Sequence, residues 1–304
     1  MTRIEVLRAG PLTTIQDLGR PGFAHLGVPH SGAADLASLA RANTAAGNAP
    51  VAAALETTLA GPALRFAGRA LIALAGAPAR VTLNGTPVPF DEPLNVSAGA
   101  ILDVGQTSSA VRTYVAVAGG IEAAPVLGSR SSDTLTGLGP PPLRRGDVLL
   151  ARPAPDPAGR PTLGDDAPHD SEPRSLVDET ARTPSPAAGA TPLRIRFGPR
   201  DDLLARGAAD LLTRESFTVS PASNRVGVRL CGPRLNLASS SELPSEGLVR
   251  GAIQLPAGGA PIVMLADHPV TGGYPVIAVV ALADLPLIGQ LRPGTSVRFA
   301  LTGG

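Results

Sequence analysis

Short β-strands gathered into two cyclophilin-like β-barrel modules, with a few short helices, are what this sequence predicts. Two observations carry the mainly-β part and a third the division in two. First, 35 glycines and 32 prolines punctuate 304 residues, about twice their ordinary share. Second, strand-like apolar runs are short and end at those residues, the pattern of barrels and sandwiches. Third, Arg152–Thr191 is rich in Pro, Ala, Asp and Ser and almost free of β-branched and aromatic residues. Such a stretch buries too little apolar surface to offset its ordering entropy. It is expected as a linker or surface loop, 152–191, between a first module, 1–151, and a second, 192–304.

In the first module, Ser31 is expected to cap a helix in which Leu36, Leu39, Ala40 and Asn43 recur at helical spacing and which Gly47-Asn48 ends. Ala70–Ala75, Ala100–Val104 and Val111–Ala118 read as strands. Val81–Leu83, Asn84-Gly85 and Thr86–Val88 form a hairpin signal, because Asn-Gly supplies the two positive-φ positions of a type I′ turn. In the second module a strand is expected at Leu193–Phe197 and a helix near Asp201–Leu212, with acids in its first turn. Strands then follow at Phe217–Ser220, Val226–Leu230, Pro261–Leu265, Tyr274–Val280 and Ser296–Ala300. Gly61–Phe66 and Gly232–Leu237 echo each other, as do 143–150 and 291–299, which hints at duplication.

Composition excludes several functions. All 26 basic residues are arginine, so there is no P-loop or Schiff-base lysine and no lysine to carry biotin. A net charge of +1 gathers no nucleic acid, and 3% aromatics with no Trp provide few stacking platforms. One cysteine excludes a disulfide framework. Met1–Gln16 lacks the apolar core of a signal peptide, and the longest apolar run, Tyr274–Ala283, is far shorter than the roughly 20 residues of a membrane span. A cytoplasmic protein without membrane or nucleic-acid partners is expected. His25, His30, His169 and His268 do not fall at metal-ligand spacing, so no metal site is expected.

Four polar phrases are candidates for chemistry. Gln16, Asp17 and Arg20 crowd an amide, a carboxylate and a guanidinium together; an Asp17–Arg20 turn pair explains them equally well. Gly27–Asp35 runs into the helix, where Ser31 either caps it or helps hold an anion at its N-terminus. Ser129, Arg130 and Ser131 suit a carboxylate or phosphate oxygen, or form a polar loop. Asp267 to Tyr274 includes Thr271, Gly272 and Gly273, whose N–H groups make either an oxyanion nest or a tight turn. Asn224 and Arg225, leading into a strand, suggest a directed contact. Glu56 is expected as a buried partner of an arginine.

These phrases acquire a common meaning in order along the chain: TTIQDLGRPGFAHLGVPHSGAAD (13–35), AALETTLAGPALRF (53–66), TYVAVAGGI (113–121), VLGSRSSDTLTGLG (126–139), SNRVGVRLCGP (223–233), PSEGLVRGAIQLP (244–256) and TGGYPVIAVV (271–280). Together they resemble the biotin-dependent carboxyltransferase-like family, which includes allophanate hydrolase subunit 2-like proteins and one of the subunits of 5-oxoprolinase. Where the family phrase often has Arg-Pro-Thr after the aspartate, this chain has His268-Pro269-Val270. The resemblance implies the cyclophilin-like barrels, a sister subunit of related fold, a third subunit, and ATP (with Mg) used by the assembled complex to open 5-oxoproline to glutamate. Alternatives within it are carboxyl transfer in a urea carboxylase system and regulation by binding a sister subunit. On the first reading the substrate is small and polar. Asp17 and Asp267 are the expected catalytic carboxylates. Gln16, Arg20, Ser31, Arg130, Ser131, Asn224, Arg225, Glu246, Gln254, Thr271, Gly272, Gly273 and Tyr274 are the expected binding residues.

Overall fold

The computed structural model of the chain describes residues 1–153, 189–239 and 243–302. The expected linker therefore lies almost entirely outside the described residues, as does His169.

The first part of the chain forms β1 (Thr2–Arg8), β2 (Leu12–Gln16), α1 (Leu36–Ala45), β3 (Ala54–Thr58), β4 (Ala63–Phe66), β5 (Ala70–Gly76) and β6 (Ala79–Leu83). It continues through β7 (Thr86–Pro87), β8 (Leu94–Val96), β9 (Ile101–Thr107), β10 (Arg112–Val117), β11 (Ile121–Glu122) and β12 (Val148–Ala151). These strands make a seven-stranded sheet, β11-β12-β1-β4-β9-β6-β7, and a five-stranded sheet, β2-β3-β10-β5-β8. Ile4, Val6, Leu64, Phe66 and Leu102 from the first and Leu55, Ile72, Val115 and Val117 from the second share one buried cluster. Strand side chains alternate in direction, so Tyr114 and Ala116 of β10 point the other way, onto Leu39 and Ala42 of α1. Every residue of β10 is consequently buried.

The second part forms β13 (Thr191–Phe197), α2 (Ala208–Arg214), β14 (Ser216–Val219), β15 (Gly227–Cys231), β16 (Glu246–Gly247) and β17 (Ala252–Gln254). It ends in β18 (Ile262–Met264), β19 (Thr271–Gly272), β20 (Val276–Val280), α3 (Leu285–Gly289) and β21 (Ser296–Leu301). Seven of these strands close a barrel in the order β13-β20-β17-β18-β15-β14-β21. Leu193, Ile195, Phe217, Ile253, Ile277 and Phe299 fill it. The rings of Phe217 and Phe299 stand 5.8 Å apart, tilted by 50°. Outside the barrel, β16 and β19 pair as a small ribbon. The mainly-β reading with barrel architecture holds.

The Asn84-Gly85 hairpin is present, with both residues at positive φ (52° and 81°). Three local expectations are corrected. Ser31 does not cap α1; it sits at φ 56°, and Asp35 is the cap, accepting from Ser38 N at 3.0 Å. The helix expected over 201–212 is broken into a 3-10 turn at Asp201–Leu203 and α2, because Gly207 takes a left-handed φ of 82° between them. Gly61–Phe66 leads into β4, whereas Gly232–Leu237 contains no strand, so that echo is not a repeated element.

Asp35 also accepts from Ser38 Oγ and, at 2.9 Å, from Gln290 Nε2. Asp35→Ala is expected to cost at least about 1–2 kcal/mol, read as a lower denaturation midpoint with an unchanged slope.

Candidate active site

The residues between β2 and α1 form a loop whose ends are drawn together. Ala33 N donates to Asp17 O at 2.9 Å, and Arg20 N donates to His30 O at 2.8 Å. Two glycines allow this closeness. A Cβ on Gly19 would lie 2.5 Å from His30 O, and one on Gly32 would lie 2.7 Å from Leu18 O. Both have positive φ, 89° and 85°, which Gly adopts without strain.

Two buried polar clusters hold the loop. At its start, the Asp17 carboxylate accepts from Gly19 N, Ser129 Oγ, Arg130 N and Ser131 Oγ at 2.5–2.8 Å. Arg20 donates to Ser131 O and, at 3.4 Å, to Val126 O; it makes no ion pair with Asp17. Gln16 Nε2 reaches Ser132 O at 2.9 Å. The loop's first polar phrase and the serine phrase at 128–133 thus bind one another.

At its end, the loop meets a charge network spanning sheet and barrel. Arg225 forms a bidentate pair with Asp267, Nε to Oδ2 at 2.8 Å and Nη2 to Oδ1 at 2.9 Å. Its Nη1 donates to Glu56 on β3, and Nη2 also reaches Gly32 O at 2.7 Å. Asp267 further accepts from Ser31 Oγ at 2.8 Å and from Thr134 N and Oγ1 at 2.9 and 2.7 Å. Glu56 accepts from Arg112 Nε, Tyr114 Oη and Ala34 N. Arg225, Asp267 and Glu56 are all essentially inaccessible to solvent. Burial opposes the charge on Glu56, yet Arg225 and Arg112 hold its carboxyl below the usual range. Arg225 does the same for Asp267 against the same opposition. Burial and the Glu56 charge push the Tyr114 phenol well up.

Several expected site residues therefore hold the frame. Asp17 and Asp267 are saturated by protein donors, Ser131 among those of Asp17 and Ser31 and Arg225 among those of Asp267, while Arg20 holds the Ser131 and Val126 carbonyls. Asn224 Oδ1 closes a turn onto Val226 N and Gly227 N. Glu246 pairs with Arg200, and Gln254 Nε2 donates to Tyr274 O at 3.0 Å. Thr271 and Gly272 are ladder residues of β19; neither Gly272 nor Gly273 has positive φ, so the Gly-Gly nest does not form. Tyr274 is exposed. Arg130 is half-buried, with its Nε lacking a partner. Glu56 is the arginine partner that the sequence suggested.

Beside this frame lies a cleft of about 270 Å³. Leu18, Leu36, Val249, Leu282, Leu285 and Pro286 make its apolar wall, and His30 and Arg250 are its polar members. The held loop supplies Leu18 and His30. Arg250 is anchored by that loop as well, donating to Ala33 O at 3.2 Å and to Ala34 O. His30 Nε2 lies 3.1 Å from Leu18 O. A carbonyl only accepts, so Nε2 carries the proton and Nδ1 remains an acceptor. Desolvation in the cleft and the Arg250 charge lower the His30 pKa. His268 is lowered too, chiefly by burial, and its Nδ1 donates to Pro269 O at 2.8 Å. Neither Arg250 nor His30 is among the expected binding residues. The available signal is a lone cation inside the apolar run Leu248–Ile253. Among the described residues no three His, Cys, Asp or Glu side chains come together to hold a metal ion.

Residues 26–301 match the model of the carboxyltransferase domain, subdomains A and B. A 5-oxoprolinase subunit of Escherichia coli is 35% identical over 302 residues, covering 97% of this chain and 90% of that protein. The urea amidolyase of Saccharomyces cerevisiae is 33% identical across 98% of this chain, which spans 16% of its length. Among solved structures, the urea amidolyase of K. lactis aligns over 99% of this chain with a TM-score of 0.85 and 33% identity, and TTHA0988 with 0.81 and 34%. The chain spans 19% and 55% of those two chains.

Glu56→Gln is expected to cost about 3–5 kcal/mol at neutral pH, because it leaves buried guanidinium charge uncompensated. Folded Glu56 and Asp267 titrate below their unfolded values of about 4. Each stabilises the fold fully above that unfolded value and loses the contribution as pH falls through the folded one. A stability–pH curve for Glu56→Gln should therefore have a shallower acid limb than the parent; an identical limb would show that Glu56 is not held as an anion.

Proposed function

The chain belongs to the carboxyltransferase family with subdomains A and B, and we propose that within it this protein is the carboxyltransferase-like subunit of an ATP-dependent 5-oxoprolinase. The observation that carries this reading is the likeness to the 5-oxoprolinase subunit of Escherichia coli, 35% identical over 97% of this chain, against 33% for the yeast urea amidolyase. The lack of any lysine to accept biotin supports the same choice over carboxyl transfer on this chain's own cofactor.

The reaction adds water across the C–N bond of a five-membered lactam, giving a carboxylate and an amine. The cleft suits the small substrate: it is below the roughly 300–1,000 Å³ of pockets for drug-sized ligands and is mostly apolar with two polar groups. No lysine is present to clamp phosphates, so ATP with its magnesium is held either by arginine and backbone groups of this chain or by the partner subunits, and no step involving it is placed here. Val249 and Leu282, 56% and 60% exposed at the cleft, give a partner an apolar surface to cover the substrate. The active site is thus shared, and the protein is a soluble component of a cytoplasmic heteromeric complex.

Glutamate release from 5-oxoproline and ATP is expected from this chain mixed with the sister and third subunits, and not from this chain alone. Release at the full rate by the single chain would remove the shared site. No release by a folded, assembled complex would remove the 5-oxoprolinase reading.

A further inference from the structure

Arg250 differs from Arg112 and Arg225 at the junction; it shares the lack of an ion pair with Arg20, which does not line the cleft. Arg112 and Arg225 are neutralised by Glu56 and Asp267. Arg250 has no carboxylate within ion-pair distance among the described residues; its two hydrogen bonds go to the carbonyls of Ala33 and Ala34. A guanidinium has five N–H bonds, so three find no acceptor among the described residues, including that of Nε, which is enclosed. The carboxylates that act most on it, Glu56 and Asp35, are already engaged, by Arg225 and Arg112 and by Ser38 and Gln290. The charges that act most on His30, the other polar wall of the cleft, are the cations Arg250, His268 and Arg20. The cleft thus joins an uncompensated cation, fixed by the loop, to an apolar wall.

We propose that this cleft selects a small organic carboxylate, with Arg250 as the residue that binds its carboxylate and Leu18, Leu36 and Val249 contacting its hydrocarbon part. An uncompensated guanidinium in a partly desolvated cleft favours a charge-assisted pair with a carboxylate. A neutral amide such as urea cannot supply that charge. The inference rests on the 5-oxoprolinase reading and extends it: between 5-oxoproline and urea, it chooses the one that bears a carboxylate.

The test uses the assembled complex and compares three probes by calorimetry: 5-oxoproline, 2-pyrrolidinone (the same ring without the carboxylate) and urea. The parent should bind 5-oxoproline at least about 10-fold more tightly than 2-pyrrolidinone. Arg250→Gln should weaken 5-oxoproline about 10- to 100-fold while leaving 2-pyrrolidinone nearly unchanged. In turnover the loss should fall on KM more than on kcat, and Arg250→Lys should recover part of it. A thermal midpoint close to the parent's establishes that each variant is folded; should Arg250→Gln fail this, Arg250→Lys and the probe preference of the parent decide. Equal binding of 5-oxoproline and 2-pyrrolidinone by the parent overturns the inference, as does binding of neither, or an unchanged preference in Arg250→Gln. The two readings fail separately. Arg250-dependent binding of 5-oxoproline without glutamate release overturns the reaction and keeps the carboxylate site. Glutamate release by Arg250→Gln with parental KM does the reverse.

Discussion

The pairing of Arg225 with Glu56 and Asp267 is the contact on which the arrangement of this protein depends. One guanidinium from the barrel pairs with a carboxylate of the sheet pair and one of its own, all three out of solvent, and Arg112 supplies the second cation that balances them. Buried charges are costly unless every lone pair and proton is met. That requirement explains why so much of the polar sequence is spent here: Ser31, Thr134, Tyr114, Arg112 and the Ala34 amide each satisfy a carboxylate oxygen. Small displacements between sheet and barrel would leave several of these unmet at once. The network therefore sets the position of the loop, and the loop sets the cleft.

Local structure is legible where one residue type has one physical use. Asn84-Gly85 has to turn with positive φ, and the alternating runs around it have to pair. The helix start is ambiguous in the sequence because Ser31 and Asp35 are both good caps. Choosing between them requires knowing that Ser31 turns away at positive φ to reach an aspartate more than 200 residues later. The interruption at Gly207 is equally hidden, since a single glycine is tolerated within many helices.

The site shows a different limit. The polar phrases stand out, but their density reflects mutual satisfaction: Asp17 with Ser129 and Ser131, Asp267 with Arg225. Sequence distance conceals each partner. Glu56 is readable as a buried acid because it sits amid strand residues with nothing else to offset its charge. Arg250 escapes a sequence reading because its informative property is the absence of an ion pair among the described residues, which only the packed structure displays. Here the residues that hold the frame are numerous and conspicuous, while those lining the cleft are few and plain.

The chain order of the network has a consequence for how the molecule is made. Glu56 and Arg112 belong to the sheet pair, whereas Arg225 and Asp267 come from the barrel, more than 100 residues further along. During synthesis the sheet pair emerges first, with Arg112 as the only cationic partner of Glu56 in the network and with the Gly32 carbonyl still without its Arg225 donor. Closing these contacts means bringing together segments of high sequence separation, a slow event in folding. Docking of the barrel is then the step that dries the junction, and a half-made chain exposes a polar seam there, which disfavours premature collapse onto a wrong apolar surface.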